Sequence, residues 1–241
     1  MKFMKSNIFK HVIKPFVLAL LLAGIPAFGQ VTLTSSWTGA VEIPDNDPSG
    51  VAFNFNLSDP ATTIQNVSVT FNLSGGYNGD LYATLSQGTS GGFSVLLNRV
   101  GVSDANPNGY GDNGFAVTLS GAASGDIHNY QSLSPSYNGG GQLTGTYAAD
   151  GRYIDPASTG LAFDAATRTA TLSAFNGTNP NGSWTLFISD RSGGDVATLN
   201  GYSVSVTAVP EPAQTVLVMG AILGLTAIVL KRRNHKAPLA E

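Results

Sequence analysis

Apolar and polar side chains alternate one for one along much of this chain. Val67, Val69, Phe71 and Leu73 are apolar, and Asn66, Ser68, Thr70 and Asn72 between them are polar. Successive side chains of a strand point to opposite faces, so this is the pattern of a strand with one buried face. It recurs in Phe53–Leu57, Leu81–Leu85, Trp184–Ile188 and Tyr202–Val206. No stretch between Val31 and Ala208 sustains a helical period. Asn-Gly pairs begin at Asn78, Asn108, Asn113, Asn138, Asn176, Asn181 and Asn200. Both residues tolerate positive φ, which tight hairpin turns demand. Short strands with frequent turn signals predict an all-β fold, a jelly-roll-like β-sandwich. Trp184, Leu186 and Ile188 share one face and are expected in its core. The Gly-, Ser- and Asn-rich stretch 120–141 reads as a long surface loop.

Charge is sharply segregated. Lys2, Lys5, Lys10 and Lys14 precede the first apolar run, and Lys231, Arg232, Arg233 and Lys236 follow the last. Within residues 31–208 stand four arginines against thirteen Asp and Glu, a net charge of −9 for that stretch. Nucleic-acid affinity rests on basic side chains that displace counterions, so no nucleic-acid partner is expected. Cysteine is absent, which excludes thiolate metal sites and thiol nucleophiles.

The two ends read as addresses. Lys2–Lys14 is a basic segment, Phe16–Ile25 a short apolar one, and Pro26 breaks it. Ala27-Phe28-Gly29 fits the small-x-small cleavage rule, so residues 1–29 read as a signal peptide cut after Gly29 and handled by the Sec export machinery. At the other end the sequence runs Val209-Pro210-Glu211-Pro212, then an uncharged apolar stretch Ala213–Leu230, then Lys231-Arg232-Arg233. Eighteen residues rise about 27 Å as a helix, enough to span a membrane. The basic cluster then stays inside and the β domain, residues 30–208, outside.

Pro210, Glu211 and Pro212, the apolar helix at about 213–230 and the pair Arg232-Arg233, in this order in the tail 209–241, resemble the PEP-CTERM sorting signal of bacteria. The resemblance implies an exosortase, a membrane-embedded transpeptidase-like enzyme, as processing partner. Eight residues follow Arg233, where many members of that class stop near the arginines. The chain would be anchored transiently in the inner membrane with its β domain outside, then released to the cell surface or beyond.

Two further blocks point to a family for the outer domain. The first holds Ile43-Pro44-Asp45-Asn46, the strand Val67–Leu73 and Tyr77-Asn78-Gly79-Asp80-Leu81. The second runs Phe175–Leu186 with Asn181-Gly182-Ser183-Trp184, then Ser189-Asp190, Gly193-Gly194-Asp195 and Thr198–Val204. Together they resemble the P domain (P/Homo B domain) that follows the catalytic domain of proprotein convertases and many bacterial subtilases. That resemblance implies a jelly-roll β-sandwich without catalytic function of its own. The sequence departs from the family at Gly75 and Asn78, where His and Arg are often found before Gly-Asp-Leu.

The chemistry expected of such a chain is binding rather than catalysis. His128 is the one histidine between the two terminal segments, and its Asp126-Ile127-His128-Asn129 setting reads as a surface turn without a nucleophile nearby. Trp37 reads as a core or edge aromatic, with stacking on a sugar ring the alternative. The candidate cofactor is calcium, which takes six to eight oxygens from flexible Asp- and Gly-rich loops. Asp45 and Asp47 flank Asn46 in one such loop, and Asp190 and Asp195 flank another. The plainer reading is that these residues are turn formers whose side chains bond their own backbone, and Asp80 after Asn78-Gly79 fits that well. The expected function is that of a non-enzymatic, exported binding or structural protein of the cell surface or extracellular matrix, with extracellular polysaccharide or envelope proteins as partners. Two alternatives are an accessory domain that docks to a separate protease and a carbohydrate-binding jelly roll.

Overall fold

The computed structural model describes residues 30–59, 62–210, 220–228 and 231. Its strands are β1 (Val31–Glu42), β2 (Val51–Leu57), β3 (Thr62–Gly75), β4 (Leu81–Gln87), β5 (Phe93–Asn98), β6 (Gly114–Ser120), β7 (Ser136–Tyr137), β8 (Leu143–Tyr147), β9 (Gly182–Asp190) and β10 (Ala197–Pro210). They form a six-stranded sheet in the order β1-β10-β3-β6-β8-β7 and a four-stranded sheet in the order β2-β9-β4-β5. Beside them lie a six-residue helix, α1 (Gly160–Ala165), and short 3-10 turns.

The alternation in the sequence sets which face of each strand is buried. On β3, Val67, Val69, Phe71 and Leu73 are fully enclosed, and their register partners on β10 are Val206, Val204, Tyr202 and Leu199. The four-stranded sheet presents Leu81, Ala83 and Leu85 of β4 and Trp184, Leu186 and Ile188 of β9, all at 0% exposure. These side chains form one apolar cluster shared by both sheets. The Trp184 ring packs against Phe175 at 4.9 Å and stacks over Phe55, and its indole N–H donates to the Pro180 carbonyl at 2.9 Å. The one polar atom of the ring is therefore satisfied inside the core, as a buried indole requires.

Two expectations are corrected. Of the Asn-Gly pairs, only Asn138 begins a hairpin loop, the one joining β7 to β8. Most consecutive strands belong to opposite sheets, so the other turns serve crossings between sheets rather than reversals within one. Gly109, Gly114, Gly177 and Gly182 take positive φ in or beside those crossings, and Asn200-Gly201 marks a bulge within β10. The stretch 120–141 is also more than a surface loop. Its 3-10 segment Ile127–Leu133 sends Ile127, His128 and Tyr130 into the interior.

Of the expected tail, Pro210 ends β10 opposite Thr62. Residues 220–228 are helical and mostly exposed. Among the described residues no helix is long and apolar enough to cross a membrane. Ala27, Gly29, Glu211, Pro212, Arg232 and Arg233 lie outside the described residues.

Candidate functional site

Three connections meet at one end of the sandwich: 43–50 between β1 and β2, 76–80 between β3 and β4, and 191–196 between β9 and β10. Backbone contacts hold them together. The Arg191 amide donates to the Asp80 carbonyl at 2.8 Å, and the Ile43 amide to the Ala197 carbonyl at 2.8 Å. Gly50, with φ at +49°, lies so close to β9 that a Cβ there would stand 2.2 Å from the Ile188 carbonyl oxygen. Only glycine permits both that conformation and that approach.

This packing gathers carboxylates. Asp190 is 0% exposed. Its Oδ1 accepts the Ser192 amide at 3.0 Å, and its Oδ2 is buried without a hydrogen-bond partner. Asp80, opposite the end of β9 where Leu81 pairs with Asp190, is 7% exposed. Burial pushes the Asp80 carboxyl up to about 6, and the negative charges of Asp190, Asp195 and Asp45 push the same way. Burial also raises the Asp190 carboxyl above the usual carboxylate range, with Asp45 adding to it, while the Ser192 and Asn46 amides oppose. The cation facing this group is Arg99, whose Nη2 stands 4.0 Å from Asp80 Oδ1 and whose Nε donates to the Gly79 carbonyl. Asp45 is exposed and accepts the Gly194 amide with both oxygens at 3.1 Å.

Of the four acids picked out in the sequence, Asp45, Asp190 and Asp195 thus share one electrostatic neighbourhood. Asp47 turns back on its own loop, accepting the Ser49 amide at 2.8 Å, and the Ser49 side chain and amide hold its carboxyl below the usual range. Asp80 was missed as a site residue because Asn78-Gly79-Asp80 reads locally as a turn. Its partner Asp190 lies far away in sequence, and only the β4–β9 register reveals the meeting. Among the described residues, no three acidic or histidine side chains make a ready-made metal cage.

A second polar cluster surrounds His128, which is 3% exposed rather than on the surface. Nδ1 is 2.7 Å from Asp150 Oδ2, and Nε2 is 3.0 Å from the Val102 carbonyl oxygen. Each ring nitrogen thus lies within hydrogen-bond distance of an oxygen, so the ring is held from both sides. Arg152 completes it through Nη1, which reaches Asp150 at 3.1 Å and Asp126 at 2.9 Å. With both nitrogens engaged and the ring enclosed, this imidazole is placed as an internal tie. Asn78, one of the positions that departs from the P-domain pattern, is likewise internal. Its Oδ1 accepts the Gly114 amide, and its Nδ2 donates to the Gly114 carbonyl and to the Tyr130 hydroxyl.

The outer face of the six-stranded sheet is of a different kind. The whole sheet carries one charged residue, Glu42 at the end of β1. Ser36, Ser203, Thr70, Thr118 and Thr146 form a row of hydroxyls across five strands. Thr34, Ser205, Ser68 and Ser120 form the next row. All are at least partly exposed. Neighbours bond one another, Thr34 to Ser205 at 3.2 Å and Thr70 to Thr118 at 3.0 Å.

No family model and no curated protein matches the sequence. Among solved structures, the chain is similar to the serine protease of Aeromonas sobria. In that protease's complex with the chaperone ORF2, the alignment covers 80% of this chain and 29% of the matched one, at 16% identity and a TM-score of 0.42. For the protease by itself the corresponding figures are 79%, 29%, 16% and 0.39. The chain thus spans under a third of the matched chains' length, and the likeness is loose.

Trp37, for which stacking on a sugar was an alternative, stacks instead on Tyr202 and packs against Phe53 at 5.1 Å. It is half-buried at the seam between the sheets, as the edge-packing reading expects.

Proposed function

We propose that this chain is a non-enzymatic, exported module of the cell surface or extracellular matrix, and that it binds a neutral polysaccharide through the outer face of its six-stranded sheet. The observation that carries this reading is the charge-free, hydroxyl-lined face on a domain that has nine more acids than bases. Hydroxyls both donate and accept, as do the hydroxyls of a sugar polymer. Strand spacing sets them about 4.8 Å apart across the sheet and about 6.7 Å along each strand. One such bond nets only about 0.5–1.5 kcal/mol in water, so useful affinity needs many in parallel. A polymer lying across five strands supplies them.

The remaining parts of the reading agree with it. A jelly-roll domain like the P domain serves as a binding scaffold. The N-terminal signal directs export through the Sec machinery, and exosortase-type processing at Pro210-Glu211-Pro212 delivers the domain outside. The test is affinity electrophoresis of the full chain, in mild detergent, through gels that contain neutral glucans or the host's envelope polysaccharide. Retarded migration is expected, and Thr70→Lys or Ser203→Lys in the middle of the face should abolish it without moving the melting midpoint. Equal mobility with and without every polysaccharide would overturn the proposal.

A further inference from the structure

Asp190 poses a problem that the protein alone does not solve. Its Oδ2 is a carboxylate oxygen with no hydrogen-bond partner and no access to water, at the end of a core strand. A second, nearly enclosed carboxylate, Asp80, lies beside it, with Asp45 and Asp195 close enough to act on Asp80. The opposing guanidinium of Arg99 stays at the margin, 4.0 Å from Asp80 and tied to the Gly79 carbonyl. Buried charges are normally paired or coordinate a metal, because desolvation of an unpaired one is costly.

We infer that the loop end of the sandwich binds a calcium ion between Asp80 and Asp190, with Asp190 Oδ2 as a direct ligand and Asp45 as an outer contributor. The chemistry of the neighbourhood selects the ion. Every nearby side-chain donor is oxygen, and the one imidazole of the β domain is committed elsewhere. Hard, oxygen-only and irregular surroundings suit calcium better than zinc. Calcium takes six to eight oxygens, so two or three carboxylates leave the rest of the shell to backbone carbonyls and water. The site is independent of the polysaccharide face.

A bound ion would also explain why three loops distant in sequence converge here. The first loop brings Asp45 and the second Asp80 toward Asp190, at the strand end where the third begins. Asp47, although nearest in sequence to Asp45, is outside the site, because its carboxylate is used within its own turn.

The test is a thermal melt of the full chain in mild detergent, followed by tryptophan fluorescence, with calcium chloride against sodium chloride at matched ionic strength and a chelator baseline. Calcium at a hundredfold excess over its Kd should raise the midpoint by about 5–10 °C. Sodium should not. Asp80→Asn and Asp190→Asn should each lose the calcium response, and in chelator Asp80→Asn should melt no lower than the parent, since it removes an uncompensated charge. Asp47→Asn should respond like the parent. Equal midpoints in calcium and sodium would overturn the inference and leave Asp80 holding a proton instead. So would an Asp80→Asn variant that is destabilised equally with and without calcium, which would make the carboxylate purely structural.

Discussion

Trp184 packs its buried ring against Phe55 and Phe175 and satisfies its N–H on Pro180, so its truncation removes both volume and a closed hydrogen bond. Trp184→Ala should cost about 3–5 kcal/mol in a denaturant melt, and a near-neutral result would mean that the ring is not core. His128→Ala should cost about 3 kcal/mol by the same measurement, because it empties an enclosed site and takes one hydrogen-bond partner from the buried Asp150 carboxylate. Asp80 gives a pH signature. Its proton is held more tightly in the folded state, with the carboxyl raised from 3.8 to about 6. The native state therefore carries the extra proton in that window, and Asp80's contribution to stability falls as pH rises through it. In chelator, the parent's midpoint should drop relative to that of Asp80→Asn between pH 4 and 6.5, and parallel curves would refute this. Trp184 was legible in the sequence because burial follows a local period. Asp80 and His128 were not, because what encloses them comes from residues far along the chain: Asp190 for the first, Val102 and Asp150 for the second.

At the scale of elements, the long alternating strands declared themselves, and β3, β4, β9 and β10 contain the runs read from the sequence. The loops did not. Asn-Gly states that the chain turns, not whether it returns to the same sheet, and here most turns cross to the other. The stretch 120–141 looked like solvent-exposed loop by composition, yet Ile127 and Tyr130 anchor it in the core, two apolar bodies among many small polar neighbours. Gly50 shows how a loop is fixed by one residue. Gly50→Ala forces a side chain into a positive-φ position against the Ile188 carbonyl. It should cost more than about 1 kcal/mol and should lift the 43–50 loop from β9, read as faster amide hydrogen exchange at Val51 and Ala52. Unchanged exchange would show that the loop does not depend on that contact.

For the whole molecule, the proposed sorting predicts that mature protein from the native host lacks Ala213–Glu241. An intact mass that still contains the apolar stretch and Arg232-Arg233 would instead indicate a retained anchor. The acidic loops and the start of β1 lie at opposite ends of the six-stranded sheet: Val31 pairs with Ala208 at one end, and Glu42 with Thr198 at the other. β10 runs the length between them, flanked on both sides by antiparallel partners, β1 and β3. Its hydrogen bonds to both neighbours lie across the strand direction. A pull applied at Pro210, from whatever the tail is fastened to, therefore loads two ladders in shear. Bonds loaded in shear must yield together rather than unzip one at a time, so the strand that leads to the sorting tail is also the one best placed to act as a mechanical tether.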